Sequence, residues 1–162
     1  MGDYLMSGKT NAIRLLDSEK IAYQMMEYEN KDGKIDGVSV AAKVGKDPKM
    51  VYKTLVTQHL QSLYVFVIPV EQELDLKKAA KAAGEKKLDM LPVKDIQKFT
   101  GYIRGGCSPV GMKKLFPTFI DQQARELHTI IVSGGRIGVQ IELDVGDLQE
   151  VTNAMLTELV KQ

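Results

Sequence analysis

Two rhythms of apolar residues run along this chain. One repeats at the three-to-four spacing of a helix face, the other at every second position, as in a half-buried strand. "TNAIRLLDSEKI" carries the first rhythm, with Ile13, Leu15 and Leu16 facing inward and Thr10 or Asn11 as the N-cap. "AYQMMEY" follows as a strand ending near Tyr28, and the polar "ENKDGKIDG" as a loop. "VSVAAKVG" predicts a short helix stopped by Gly45, with Pro48 beyond it. "MVYKTLVTQ" and "LYVFVIPV" are rich in β-branched and aromatic residues and predict two strands joined by the turn "HLQS". "LDLKKAAKAAG" predicts a helix closed by Gly84, and "KKLDML" a short strand. "PVKDIQKFTG" predicts a helix with Pro92 in its first turn and Gly101 at its end. "TFID", "HTIIVSG" and "VQIELD" predict three more strands. "DVGDLQEVTNAMLTELVKQ" reads as a closing amphipathic helix with Leu148, Val151, Met155, Leu156 and Leu159 as its apolar stripe.

Strands and helices are interspersed without a strict βαβ alternation, and at least two connections read as hairpins. The expected class is therefore α+β, a single domain with a mixed, mostly antiparallel sheet. At 162 residues the chain has the length of one domain and can bury roughly 70% of its unfolded surface. A single cysteine forms no internal disulfide, which fits a reducing compartment. Lysine plus arginine number 22 against 21 aspartates and glutamates, a balance unlike that of a DNA-coating protein. No apolar run approaches a membrane span, and "MGDYLMSGKT" lacks the apolar stretch of a signal peptide, so a cytoplasmic location is expected. Residues 1–10 are read as an N-terminal extension, with Met6 as an alternative start and Met1 to Leu5 as an expression remnant; residues 11–162 form the domain.

Most candidate motifs weaken on inspection. "SGKT" at Ser7 to Thr10 resembles the tail of a phosphate-binding loop, but Asp3 stands where that loop needs glycine and no strand precedes it. His59 and His128 are far apart, no metal-ligand spacing occurs, and no metal or cofactor is implied. Cys107 has no local partner for nucleophilic work and reads as a buried or half-buried packing residue. Lys77, Lys78, Lys81, Lys86 and Lys87 read as a solvated face that could join Arg104, Lys113 and Lys114 in a phosphate-binding patch.

Three features hold up better. Lys53 lies inside a strand on the face of Val51 and Leu55, with Tyr52, Thr54 and Val56 on the other face. It either snorkels outward or holds a cation beside a substrate carbonyl or phosphate. "GYIRGGCSPVGMKK" concentrates backbone freedom around Gly101, Gly105 and Gly106, with Ser108 and Pro109 following. "VSGGRIG" puts Ser133 and Gly134 at a strand end, as a ligand-approach site or a plain turn.

Taken together, "VYKTLV", "TGYIRGGCSPVGMKK" and "IIVSGGRIGVQIEL" resemble the YbaK family of small aminoacyl-tRNA deacylases, similar to the editing domain inserted in bacterial prolyl-tRNA synthetases. The likeness runs from about Asn11 to the C-terminus. It implies a mixed, partly barrel-like sheet wrapped by helices, and removal of a wrong amino acid, most often cysteine, from tRNA for proline. It implies aminoacyl-tRNA as substrate and prolyl-tRNA synthetase as a partner, with no membrane or DNA. It places the family lysine on Lys53 and a neighbouring hydroxyl on Thr54, with substrate contacts at Tyr28, Gly101, Gly105, Gly106, Ser108, Pro109, Ser133 and Gly134. Asp36, Gln140 and Cys107 depart from residues common in relatives, namely phenylalanine, aspartate and isoleucine. These departures bear on the preferred amino acid and leave the reaction class unchanged.

With no triad, metal or carboxylate pair, catalysis is expected to rest on positioning and electrostatics. The amides around Gly105 and Gly106 are expected to stabilise an oxyanion, with Pro109 stiffening the loop. The resemblance further suggests that the thiol of the substrate attacks its own carbonyl and leaves as a thiolactone. A deacylase for another small amino acid such as alanine, and a binding module without turnover, remain as alternatives.

Overall fold

A computed structural model describes residues 9–162. Residues 1–8, including Met6 and most of "SGKT", lie outside the described part. Five α-helices and eight strands form among the described residues, with two short 3₁₀ turns.

Helix α1 (Asn11–Ser18) starts where the side-chain oxygen of Thr10 accepts the Ile13 N–H. The Thr10 hydroxyl also donates to the Gly134 carbonyl at 2.6 Å, pinning the helix start to a distant turn. Strand β1 (Gln24–Glu27), helix α2 (Gly37–Lys43), strand β2 (Tyr52–His59), strand β3 (Ser62–Pro69), helix α3 (Leu76–Ala83) and strand β4 (Asp89–Met90) follow. Helix α4 (Val93–Thr100), strands β5 (Thr118–Asp121), β6 (Thr129–Ser133) and β7 (Val139–Asp144), helix α5 (Val145–Thr152) and strand β8 (Met155–Thr157) complete the chain. Pro92 sits at the N-cap of α4, just before its first helical residue.

The strands form two sheets. The larger is mixed, in the order β4-β2-β3-β5-β8. Strands β2, β3 and β4 pair antiparallel, whereas β5 and β8 add in parallel. The smaller sheet, β1-β7-β6, is antiparallel. One isolated parallel bridge, Val51 to Ile131, links them. The barrel stays open, because β2 and β6 separate after that single bridge.

Helix α1 packs Ala12, Ile13 and Leu16 on Ile130, Val132 and Ile141 of the small sheet. On the large sheet Ala79 and Ala80 of α3 cover Phe66 and Ile68, and the Phe66 and Phe119 rings stack at 5.3 Å. A third cluster, of Ala41, Val51, Val70 and Ile131, sits at the junction between the sheets.

The chain end departs from the sequence expectation. Helix α5 stops at Thr152, where Asn153 adopts a left-handed φ of 56°. Met155, Leu156 and Thr157 then form β8 beside Phe119, Ile120 and Asp121. Leu148 and Leu159 are fully buried, but Met155 is 64% exposed, so the supposed stripe is not continuous. The helical spacing was coincidental: asparagine tolerates the left-handed cap, and the free edge of β5 recruits the next residues as a strand.

Candidate active site

Where β2 and β6 part, a cavity of about 100 Å³ opens between the sheets. That is room for about three waters, hence for a small side chain. Lys53 and Thr54 line it from β2, Ser133 from β6, Gln140 from β7 and Tyr28 from the end of β1. Gly105 and Cys107 close it from the glycine loop, and Gly37, Val40, Val51 and Val70 form an apolar floor.

Lys53 and Thr54 point to opposite faces of β2, yet both reach the cavity because it lies along the unpaired edge of that strand. The Lys53 ammonium has no ion pair or hydrogen bond among the described residues. Burial pushes its pKa below the ordinary lysine value, and the negative charge of Glu73 opposes the shift. Three lining residues, Tyr28, Tyr52 and Thr54, have buried hydroxyls without a hydrogen-bond partner among the described residues. A buried hydroxyl without a partner costs stability, so three such residues lining one cavity with Lys53 mark a place built for a polar guest. The Ser133 Oγ accepts the Gly135 N–H at 3.1 Å, which orients the hydroxyl at the rim.

Of the two glycines expected to offer amides, Gly105 lines the cavity and Gly106 does not. The Gly106 N–H is already donated to the Ile103 carbonyl at 3.0 Å and is not free for a substrate oxyanion. Gly106 instead allows close packing, since a Cβ there would lie 2.7 Å from the Arg136 Cα. Gly101 is the left-handed cap of α4, at φ 87°. Ser108 is fully buried, and its Oγ accepts the Val110 N–H at 3.2 Å. Pro109 lines a separate groove with Leu15 and Phe116, and Gly134 donates its N–H to Val139 at 2.8 Å in the β6–β7 turn. Gly101, Gly106, Ser108, Pro109 and Gly134 therefore lie outside the lining of the cavity.

Two residues at which the chain departs from the resembled family separate here. The Asp36 side chain caps α2 by accepting the Ser39 N–H at 3.1 Å, and these bonds hold its carboxyl below the usual range. Gln140 lines the cavity, is 6% exposed, and makes no side-chain hydrogen bond among the described residues. Cys107 also lines the cavity, and burial pushes its thiol up to about 11, so it stays protonated at neutral pH. Cys107, by sequence a packing residue and a departure bearing on amino-acid preference, has no expected catalytic role, and sequence reasoning passes over Val40 and Val70, whose ordinary apolar spacing gives no sign of a cavity.

The lysines of α3 are partly committed. Lys78 binds Glu158 and the Val160 carbonyl, and Lys87 lies 4.0 Å from Asp89. His59 ends β2, and His128 is exposed just before β6, so neither lines the cavity.

A profile of the aminoacyl-tRNA editing domain matches residues 36–151, which include every strand that lines this cavity except β1. The chain belongs to the aminoacyl-tRNA editing domain family. A relative from Enterococcus faecalis (strain ATCC 700802 / V583), provisionally named Cys-tRNA(Pro)/Cys-tRNA(Cys) deacylase EbsC, is 45% identical over 152 residues, 93% of each chain. Two solved structures share the fold of this editing domain. One, described provisionally as a trans-editing enzyme for prolyl tRNA synthetase, has a TM-score of 0.81 and 22% identity over 94% of this chain and 98% of its own. The other, the hypothetical protein APE2540, has a TM-score of 0.84 and 19% identity over 93% of this chain and 99% of its own.

Among the described residues no helix of the editing domain is long and apolar enough to cross a membrane.

Proposed function

We propose that this editing domain is a trans-editing deacylase that releases cysteine wrongly joined to tRNA(Pro), with Cys-tRNA(Cys) as a second substrate, in the cytoplasm. Residues 11–162 are the working unit, residues 1–10 an extension, and prolyl-tRNA synthetase the partner that supplies mischarged tRNA. The reading rests above all on one observation: a half-buried lysine, unpaired among the described residues, shares a cavity sized for a small side chain with three residues whose hydroxyls have no partner among them. The name of the relative and the family match support it.

In this reading the Lys53 ammonium polarises the ester carbonyl or holds the terminal adenosine, and Tyr28 and Thr54 hydrogen-bond the aminoacyl group. The protein offers no activated nucleophile in the cavity. The Cys107 thiol is protonated, and no histidine stands beside Ser133 among the residues lining it. The substrate thiol fills that role. Its sulfur bonds to the carbonyl carbon, the ester C–O bond breaks, and the thiol proton ends on the ribose oxygen. The released product is a cyclic thiolactone.

The test is a panel of Cys-tRNA(Pro), Cys-tRNA(Cys) and Ala-tRNA(Pro), scored for rate and product. Fast loss of cysteine with thiolactone trapped is expected. Preference for alanine moves the assignment to another small amino acid, and binding without any deacylation reduces the protein to a binding module.

A further inference from the structure

We infer that the open edge of β2 supplies an oxyanion donor, through the backbone N–H of Thr54; this rests on the deacylase reading above.

The inference comes from hydrogen-bond direction along two strands. In an antiparallel ladder, alternate residues turn both backbone groups toward one neighbour. Val51 gives its carbonyl to the Val70 N–H at 2.9 Å, so odd-numbered residues of β2 face β3. Val56 gives its carbonyl to the Leu91 N–H at 2.9 Å, on the other side, so even-numbered residues face away from β3. On that outer edge β2 has only two attachments. The Val51–Ile131 bridge lies at one end, and the pairing of Thr57 and Gln58 with β4 at the other. Thr54 falls between them, on a stretch of that edge with no ladder pairing among the described residues, and its N–H points outward there.

The facing edge is open as well. Gly134 donates to Val139 and Val145 donates to His128, so even-numbered residues of β6 face β7. Ser133 therefore turns its backbone toward β2, two residues beyond the bridge. The cavity is the interval in which a β2–β6 ladder would have continued. Its walls carry peptide groups outside any ladder among the described residues, where a folded sheet normally pairs them.

Thr54 N–H is fixed by the ladders on either side, and the neighbouring Lys53 lines the same cavity. As the substrate sulfur bonds to the ester carbon, the carbonyl electron pair moves onto oxygen. The Thr54 N–H donates to that oxygen until the ribose oxygen departs with the thiol proton. A donor aimed at developing charge in this way acts on the transition state more than on the ground state.

The inference is tested with Thr54→Pro and Thr54→Val, assayed on Cys-tRNA(Pro). Proline deletes the N–H without breaking a ladder bond, because that N–H is in no ladder. Valine keeps the N–H and deletes the hydroxyl. Thr54→Pro is expected to lose about 10²- to 10³-fold in kcat with KM within about threefold, and at least about tenfold more than Thr54→Val. Equal losses in the two variants overturn the inference. Should Thr54→Pro misfold, amide hydrogen exchange in the unaltered protein decides. Thr54 N–H is expected to exchange at least about tenfold more slowly when 3′-deoxy-3′-(L-cysteinylamino)adenosine, with an amide in place of the ester, is bound. No protection of that amide at saturating analogue overturns the inference. An unaltered protein that deacylates nothing sinks the deacylase reading instead, and protection of Thr54 by the analogue then still reports on the edge as an acceptor-binding site.

Discussion

Gly106 lies against the main chain of Arg136, so that a Cβ on Gly106 would fall 2.7 Å from the Arg136 Cα and 2.8 Å from the Ile137 nitrogen. The contact locks the glycine loop to the β6–β7 turn behind the cavity. Gly106→Ala must push two backbones apart. It is expected to lower stability by about 1–3 kcal/mol, read as a shift in the urea midpoint at unchanged slope. An unshifted midpoint would show that the two loops are not locked.

Lys53 holds its charge against burial, and this sets a second prediction. An unfolded lysine keeps its proton to about pH 10.4, whereas folded Lys53 releases it at lower pH. Between those values the unfolded state binds more protons, so stability rises with pH across that window. At neutral pH the buried ammonium is destabilising. Lys53→Met should raise Tm by on the order of 1–2 °C at pH 7 and abolish deacylation, with the gain shrinking as pH climbs through the window. Thermal melts between pH 7 and pH 10 check the sign. A lower Tm at pH 7 would mean that the ammonium is stabilised by a partner.

Cys107 lies in the cavity wall with its thiol pushed up to about 11. It should react with iodoacetamide at pH 7.5 at least about tenfold more slowly than a free thiol, and faster as pH rises. Cys107→Ala should retain kcat within about threefold. A loss of about 10²-fold or more with substrate binding intact would make Cys107 the nucleophile.

Asp121, 1% exposed, accepts the Leu159 N–H at 2.9 Å and the Gln123 N–H at 3.0 Å. It ties the strand that replaces the expected closing helix. Asp121→Ala leaves a buried N–H without a partner and should cost about 2–3 kcal/mol in chemical denaturation. The amides around Leu159 should lose hydrogen-exchange protection ahead of those in β3. Uniform loss across the fold would contradict this local role.

The sequence carried the fold unevenly. Helices with a capping residue and a terminal glycine, such as α3 between Asp75 and Gly84, were legible because the signals are local. The β2–β3 hairpin was legible because apolar runs flank a two-residue turn. The chain end misled because Leu156 and Leu159 fit a helix face as well as they fit β8 and its extension, and only the free edge of β5 decides between them. Within the site, Lys53 stood out as a charge in an apolar strand, and the structure brings it together with Tyr28, Thr54, Gly105 and Ser133. That Gly106 spends its N–H on Ile103, and that Thr54 sits on an unladdered stretch of the β2 edge, depends on strand partners and turn closure that no residue pattern encodes.

The measurement closest to the central claim is single-turnover deacylation of Cys-tRNA(Pro) by the unaltered protein and by Lys53→Ala, with the fold of both checked by thermal melting. The account predicts an equally folded variant whose rate falls by about 10²-fold or more. A folded Lys53→Ala protein that deacylates at close to the unaltered rate would contradict it.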